Sequence, residues 1–108
     1  MSTMRLDEIK QRIKDIKDEL AQLGSMRPGA ISQQYRNREQ NTGLYYQLSY
    51  SHQGKSRTKH VRPHEVSTVR RQIETYKRFR QLTDEWVLLA LEECELLLLT
   101  SRNQEKES

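Results

Sequence analysis

The sequence predicts a mostly α-helical protein with one β-hairpin, in which an N-terminal heptad helix and a long C-terminal helix pack antiparallel. Three features indicate this fold: heptad-spaced aliphatic residues near the N-terminus, an alternating aromatic segment in mid-chain, and no Gly or Pro after Pro63. The chain has 108 residues, 33% of them apolar and 31% charged, with a mean hydropathy of −1.00. Such a chain is expected to form at most one small domain with a limited core.

Residues 1–24 are predicted to form a coiled-coil-like helix. Its apolar positions are separated alternately by three and four residues, which is the spacing of a heptad seam. These positions are Leu6, Ile9, Ile13, Ile16, Leu20 and Leu23. Gly24 provides a natural stop for the helix. Because the apolar stripe is narrow, we expect a second helix to cover it.

A loop and a basic β-hairpin are predicted between the helices. Residues 25–43 show no sustained period and contain a Pro-Gly turn, so this segment is interpreted as a loop with at most a short helical turn at Ile31–Tyr35. Residues 44–62 alternate as two strands around a turn at Ser51–Gly54. Because two strands are not stable alone, the hairpin is expected to pack on a helix.

A long helix is predicted over residues 63–100, followed by a disordered tail over residues 101–108. At 1.5 Å per residue it would be about 55 Å long, whereas the first helix would be about 28 Å long and would cover only about half of it. The remaining half carries two apolar stripes, which predicts a homodimer formed through the long helices. The expected dimer-interface residues are Phe79, Leu82, Trp86, Leu89, Leu96 and Leu97.

Charge is segregated along the sequence. The net charge is +4, but residues 24–80 contain twelve Lys and Arg against three Asp and Glu. The rest of the chain is acidic. Basic residues mixed with tyrosines and small hydroxyl residues are typical of surfaces that contact phosphates and bases. Tyr45, on the strand face opposite Tyr46 and Leu48, is the best candidate for stacking on a base. The candidate nucleic-acid-binding residues are Arg36, Arg38, Tyr45, Lys55, Arg57, Lys59, Arg62, Arg70 and Arg71.

No catalytic, metal or cofactor site is predicted, and an enzyme is not expected. The single cysteine, Cys94, cannot form an internal disulfide and is interpreted as a buried small apolar residue in a reducing compartment. His60 and His64 are separated by Pro63 and are not expected to ligate a metal together. The N-terminus lacks an apolar signal segment and glutamates interrupt the longest apolar stretch, so a cytoplasmic protein with no membrane contact is expected.

Seven segments of the chain carry a family resemblance, namely Met26–Tyr35, Leu44–Tyr50, Gly54–Thr58, Val61-Arg62, Val69–Gln72, Tyr76–Arg80 and Trp86-Val87. Together they resemble a family of small uncharacterised bacterial and archaeal proteins that are often encoded near transposases and other mobile elements. Such proteins often carry a cysteine cluster between the first two segments, and this chain has none there, so the resemblance does not imply a bound metal here. What it implies is a mobile-element setting, which favours DNA or RNA as a ligand.

The function expected from the sequence is that of a non-enzymatic accessory protein. It would bind nucleic acid or a ribonucleoprotein through the basic hairpin and dimerise through the long helix. The expected partners are DNA or RNA, a second copy of the chain and a larger mobile-element protein. The alternative is a protein–protein adaptor or regulator whose acidic and apolar helix end binds a mobile-element enzyme, such as a transposase or nuclease.

Overall fold

The computed structural model describes residues 5–107 and confirms a mostly helical fold that contains a hairpin. The elements in chain order are α1 (Leu6–Gln22), β1 (Ala30–Asn37), β2 (Thr42–His52), β3 (Lys55–Val61), a 3₁₀ turn (Pro63–Glu65) and α2 (Val66–Glu107). The chain divides into two compact units, which we call unit 1 (Met1–Leu23 and Phe79–Ser108) and unit 2 (Gly24–Arg78). Residues 1–4 of the predicted first helix lie outside the described residues.

The core of unit 1 lies between α1 and the C-terminal part of α2. Ile9, Ile13 and Ile16 of α1 are buried against Leu82 and Leu89 of α2. Partly buried residues extend this cluster along both helices: Leu20, Leu23, Trp86 and Leu96. The heptad spacing of α1 therefore identified its buried side correctly, and burial of these aliphatic side chains stabilises unit 1.

Leu82 and Leu89 are not at the molecular surface. The apolar stripes of the sequence predict both as dimer-interface residues, whereas α1 buries both inside the chain. The physical reason is that the heptad seam of α1 packs on the C-terminal turns of α2, which are the more apolar ones. Phe79 is half-buried and Leu97 is exposed.

Unit 2 consists of a three-stranded antiparallel sheet, in the order β1-β2-β3, and the first turns of α2. Its buried residues are Leu48, Val61, Val66, Val69 and Ile73, with Ile31, Tyr46 and Tyr50 packed against them. The three α2 residues in this cluster are spaced by three and four positions, so they form one stripe that covers one face of the sheet.

The first strand corrects the prediction of a loop over residues 25–43. Residues Ala30–Asn37 pair with β2, and Ile31 lies opposite Leu48 while Tyr35 lies opposite Leu44. Serine and glutamine separate these two apolar residues, and such a short alternation is ambiguous in sequence. The strand forms because β2 supplies its hydrogen-bonding partner, so no helical turn is present at Ile31–Tyr35.

The β2–β3 turn is tighter than the predicted turn at Ser51–Gly54. His52 still pairs with Lys55, which leaves only Gln53 and Gly54 in the turn. Both have positive φ, 52° and 77° respectively. This is the geometry of a two-residue type I′ hairpin, whose twist matches that of the flanking strands.

The C-terminal part of the chain also differs from the prediction. A 3₁₀ turn precedes α2, and α2 continues to Glu107, so residues 101–107 of the predicted disordered tail are helical, while Ser108 lies outside the described residues. Cys94 is exposed rather than buried, because α1 covers only the side of α2 that carries Leu82 and Leu89. Over the described part of the chain, no helix has the length and apolarity needed to span a membrane.

Candidate nucleic-acid interface

The two units differ in the sign of their charge. Unit 2 contains eleven Lys and Arg against three Asp and Glu, a net charge of +8, and unit 1 contains eight against twelve, a net charge of −4. The basic stretch of the sequence therefore falls almost entirely in the unit that contains the sheet. A concentration of positive charge in one compact unit attracts polyanions.

The sheet has one covered face and one open face. The open face, which we call the outer face, carries the residues that alternate with those packed on α2. Its members that carry a side chain are Ala30, Ser32, Gln34, Arg36, Tyr45, Gln47, Ser49, Ser51, Ser56, Thr58 and His60. Apart from the small Ala30, these residues carry hydroxyl, amide, aromatic and basic groups. Its side chains can therefore donate and accept hydrogen bonds and stack, whereas the opposite face supplies the core.

Tyr45 and His60 stack on each other at the centre of the outer face. Their ring centroids are 5.8 Å apart and their planes meet at 23°. The register explains the contact, because His60 pairs with Gln47, the next residue of β2 on the same face as Tyr45. Diagonal neighbours of this kind are within reach of aromatic side chains. The sequence pattern predicts Tyr45 as a stacking residue but does not indicate His60, because only the cross-strand register brings the two rings together.

Arg36 lies on the same face as this aromatic pair. Gly43 follows the turn between β1 and β2 with a φ of +70°, and a Cβ atom there would lie 2.9 Å from the Cβ of Arg36. The absence of a side chain at Gly43 therefore leaves room for the stem of Arg36 across the strand. Arg62 directly follows β3, two residues after His60 on the chain.

The remaining candidate residues occupy other surfaces of unit 2. Lys55, Arg57 and Lys59 pair with His52, Tyr50 and Leu48, so they lie on the covered side of the sheet along the β3 edge. Arg38 is in the β1–β2 turn, and Arg70 and Arg71 are on α2. The predicted set is thus divided among the outer face, the opposite side of the edge strand, one turn and one helix.

These basic side chains have no acidic partner within the described residues. All eight are exposed, and none forms a salt bridge at 4.0 Å or less with a residue in the described part: Arg36, Arg38, Lys55, Arg57, Lys59, Arg62, Arg70 and Arg71. Of the three acids of unit 2, Glu74 pairs with Lys77 at 3.3 Å and Glu65 accepts a hydrogen bond from the backbone nitrogen of Arg62. The eight charges are therefore not neutralised by neighbouring carboxylates.

The described residues offer no metal-binding cluster. Across residues 5–107, no group of three or more His, Cys, Asp or Glu side chains is arranged to hold an ion. His52, His60 and His64 lie at the end of β2, on β3 and in the 3₁₀ turn, respectively.

The fold and the charged surface define a small helical protein with a basic three-stranded sheet. The chain belongs to the family described as a domain of unknown function, DUF6788, whose model matches residues 6–71. The match begins at the first residue of α1 and ends in the second turn of α2, so it includes the whole sheet. No curated protein and no solved structure matches the chain.

Proposed function

We propose that this chain is a non-enzymatic accessory protein that binds nucleic acid, DNA or RNA, through unit 2. The observation that carries the proposal is the set of eight exposed basic side chains without acidic partners within the described residues. Phosphate contacts from Arg and Lys supply most of the affinity of non-specific nucleic-acid binding. An acidic protein surface would satisfy the same charges, and the aromatic pair of the outer face supports nucleic acid over that alternative.

The outer face favours a single-stranded ligand. The Tyr45–His60 stack provides a π-surface on a polar sheet face, and Arg36 lies on the same face. Bases of single strands stack on aromatic side chains while their phosphates track nearby cations. In a duplex the base faces are already stacked, so this pair would contribute little. Lys55, Arg57 and Lys59 would supply further phosphate contacts from the β3 edge.

The biological setting is part of the same proposal. The resemblance of the sequence to proteins encoded near transposases suggests that the nucleic acid belongs to a mobile element or to its transcript. The expected binding partner of this chain would then be a larger mobile-element protein, or a ribonucleoprotein that contains such a protein. These inferences depend on the resemblance and not on the geometry of unit 2.

Binding is tested by fluorescence anisotropy with the full chain and short labelled single-stranded and duplex DNA and RNA at three salt concentrations. If five or six phosphates are neutralised on a single strand, log affinity against log salt should have a slope of about −4, at about −0.7 per contact. Failure of every ligand to bind more tightly than about 100 μM at low salt would overturn the proposal. The adaptor function would then become the better interpretation.

Two sets of variants separate stacking from charge. Tyr45→Ala should weaken single-strand binding by about 1–3 kcal/mol and duplex binding much less. Arg57→Ala with Lys59→Ala should reduce the magnitude of the salt slope by about one and a half, because two phosphate contacts are lost. The matched control is Lys10→Ala with Lys14→Ala, which removes the same charge from the exposed side of α1 in unit 1. An equal loss of binding in the control would show that total charge, and not unit 2, determines affinity.

A further inference from the structure

The C-terminal part of α2 has a second apolar side that α1 does not cover. Leu82 and Leu91 are nine residues apart, which is two and a half helical turns, so they point to opposite sides of the helix. Leu82 is fully buried against α1, whereas Leu91 is 60% exposed. Three more aliphatic residues share the exposed side, namely Val87 at 58%, Leu88 at 67% and Leu98 at 49%.

The exposed side has the spacing of a heptad seam. Alternating steps of three and four residues connect its positions. These positions, which we call the outer seam, are Asp84, Val87, Leu91, Cys94, Leu98 and Ser101. Leu88 lies beside it, and the whole seam falls within unit 1. Heptad spacing is the pattern by which one helix packs along another, so the expected occupant of the seam is a helix.

The exposed apolar side is a contiguous patch that two copies can cover for each other. Its four aliphatic residues, Val87, Leu88, Leu91 and Leu98, are each about half to two-thirds exposed. Exposed contiguous apolar patches of this kind mark interaction sites. A two-fold pairing uses the same patch on both copies, so one second copy removes the apolar side of both helices from water.

Charge determines the direction of the pairing. Arg80 lies one step before Asp84 on the same heptad pattern and contacts it at 3.9 Å. In a parallel pair Arg80 would face Arg80 of the second copy, and Asp84 would face Asp84 of the second copy. Like charges would therefore lie together. In an antiparallel pair Asp84 faces Ser101 of the second copy, with Arg102 next to it, and the contact occurs twice by symmetry.

From these observations we infer that the chain forms an antiparallel homodimer through the outer seam of α2. The interface consists of Val87, Leu88, Leu91 and Leu98, flanked by Asp84 of one chain and Arg102 of the other. It differs from the interface expected from the sequence, whose central residues Leu82 and Leu89 are covered by α1. The inference is independent of nucleic-acid binding by unit 2.

The oligomeric state is tested by light scattering coupled to gel filtration. For the wild-type chain, light scattering should measure a mass of twice 12.9 kDa, the mass of one chain. Leu91→Gln with Leu98→Gln should give a monomer at about 50 μM, a concentration at which a specific dimer persists. Because both side chains are exposed in the monomer, the unfolding transition of Trp86 fluorescence should remain cooperative in the variant.

The matched control is Leu44→Gln, which changes an exposed leucine in unit 2 and should leave the dimer intact. A monomeric wild-type chain at about 50 μM would overturn the inference and would leave the seam to a different protein. An equal loss of dimer in the Leu44→Gln control would also count against it, because that result assigns the interface to unit 2.

The direction of pairing is tested by cysteine cross-linking in a Cys94→Ser background. Asp84→Cys and Ser101→Cys are prepared as separate chains, mixed and oxidised. An antiparallel pair should give disulfide-linked dimers only in the mixture, because each new cysteine faces the other position. Disulfide-linked dimers between two copies of the same variant, with none between the two different variants, would contradict the antiparallel arrangement. An unlinked mixture would contradict it as well.

Discussion

Arg12 of α1 donates two hydrogen bonds to Glu85 of α2, from Nε to Oε2 at 2.6 Å and from Nη2 to Oε1 at 2.7 Å. This bidentate pair joins the two helices beside the aliphatic core of unit 1. The hydrogen bond to Glu85 raises the pKa of the Arg12 guanidinium above its ordinary value. Because the pKa of Arg12 is higher in the folded state than in the unfolded state, the charged guanidinium stabilises the folded state fully at any pH below the unfolded-state pKa. This stabilisation is lost only when the pH rises through the folded-state pKa, so Arg12 contributes the same stability across the neutral pH range.

A double-mutant cycle on this pair should give a modest coupling energy. Both side chains are partly exposed, so solvent screening limits the coupling to about 0.5–1 kcal/mol. The variants are Arg12→Ala, Glu85→Ala and the double variant, and urea unfolding followed by Trp86 fluorescence measures them. Lys14 and Asp18, an exposed pair at 3.0 Å within α1, serve as the reference. A coupling no larger than in that reference pair would contradict the prediction.

Ile16→Ala should strongly destabilise unit 1. Ile16 is fully buried between α1 and α2, and shortening it leaves a cavity, which costs about 2–4 kcal/mol of the free energy of unfolding. Trp86 is the only tryptophan and lies in unit 1, so its fluorescence reports on this unit directly. Lys10→Ala on the exposed side of α1 is the control and should have little effect. A cost below about 1 kcal/mol for Ile16→Ala would argue against burial of this side chain.

Gly29→Ala should destabilise unit 2. Gly29 has a φ of +136°, and an added Cβ atom would lie 2.8 Å from both Leu48 Cδ1 and the carbonyl oxygen of Ser49. Both backbone strain and steric overlap oppose alanine there, with an expected cost of about 1–3 kcal/mol. All five tyrosines lie in unit 2, so their near-ultraviolet signal follows the transition. Gly24→Ala is the matched control, since no atom lies within 4 Å of its added Cβ. Equal stability of the two variants would refute the argument.

Gln53→Asn should stabilise the hairpin. Gln53 has a φ of 52°, which is costly for most side chains, and asparagine tolerates this conformation better. The expected gain is about 0.5 kcal/mol, or a rise of a few degrees in Tm, measured by thermal unfolding of the tyrosine signal. Gln53→Val should have the opposite effect, because a β-branched residue is strained at positive φ. If both variants unfold at the wild-type temperature, the turn does not limit the stability of unit 2.

Short-range patterns in the sequence identified the helices well. The heptad spacing of Ile9, Ile13 and Ile16 predicted the buried side of α1, and the stripe through Val69 and Ile73 predicted the side of α2 that packs in unit 2. Both patterns repeat over several helical turns, so burial follows from periodicity alone. The first strand was missed because Ile31 and Tyr35 form too short an alternation without knowledge of the strand that pairs with them.

The sequence by itself determined the helices, the alternation of β2 and β3, and the concentration of basic residues between the helices. Only the tertiary structure decided that His60 meets Tyr45, that Arg57 and Lys59 lie on the other side of the sheet from them, and that α1 covers Leu82 while Leu91 stays exposed. The physical reason is that periodicity fixes which residues share a side of one element, whereas strand register and helix pairing fix which side is covered. Those choices depend on contacts between residues far apart in the chain, which no local pattern records.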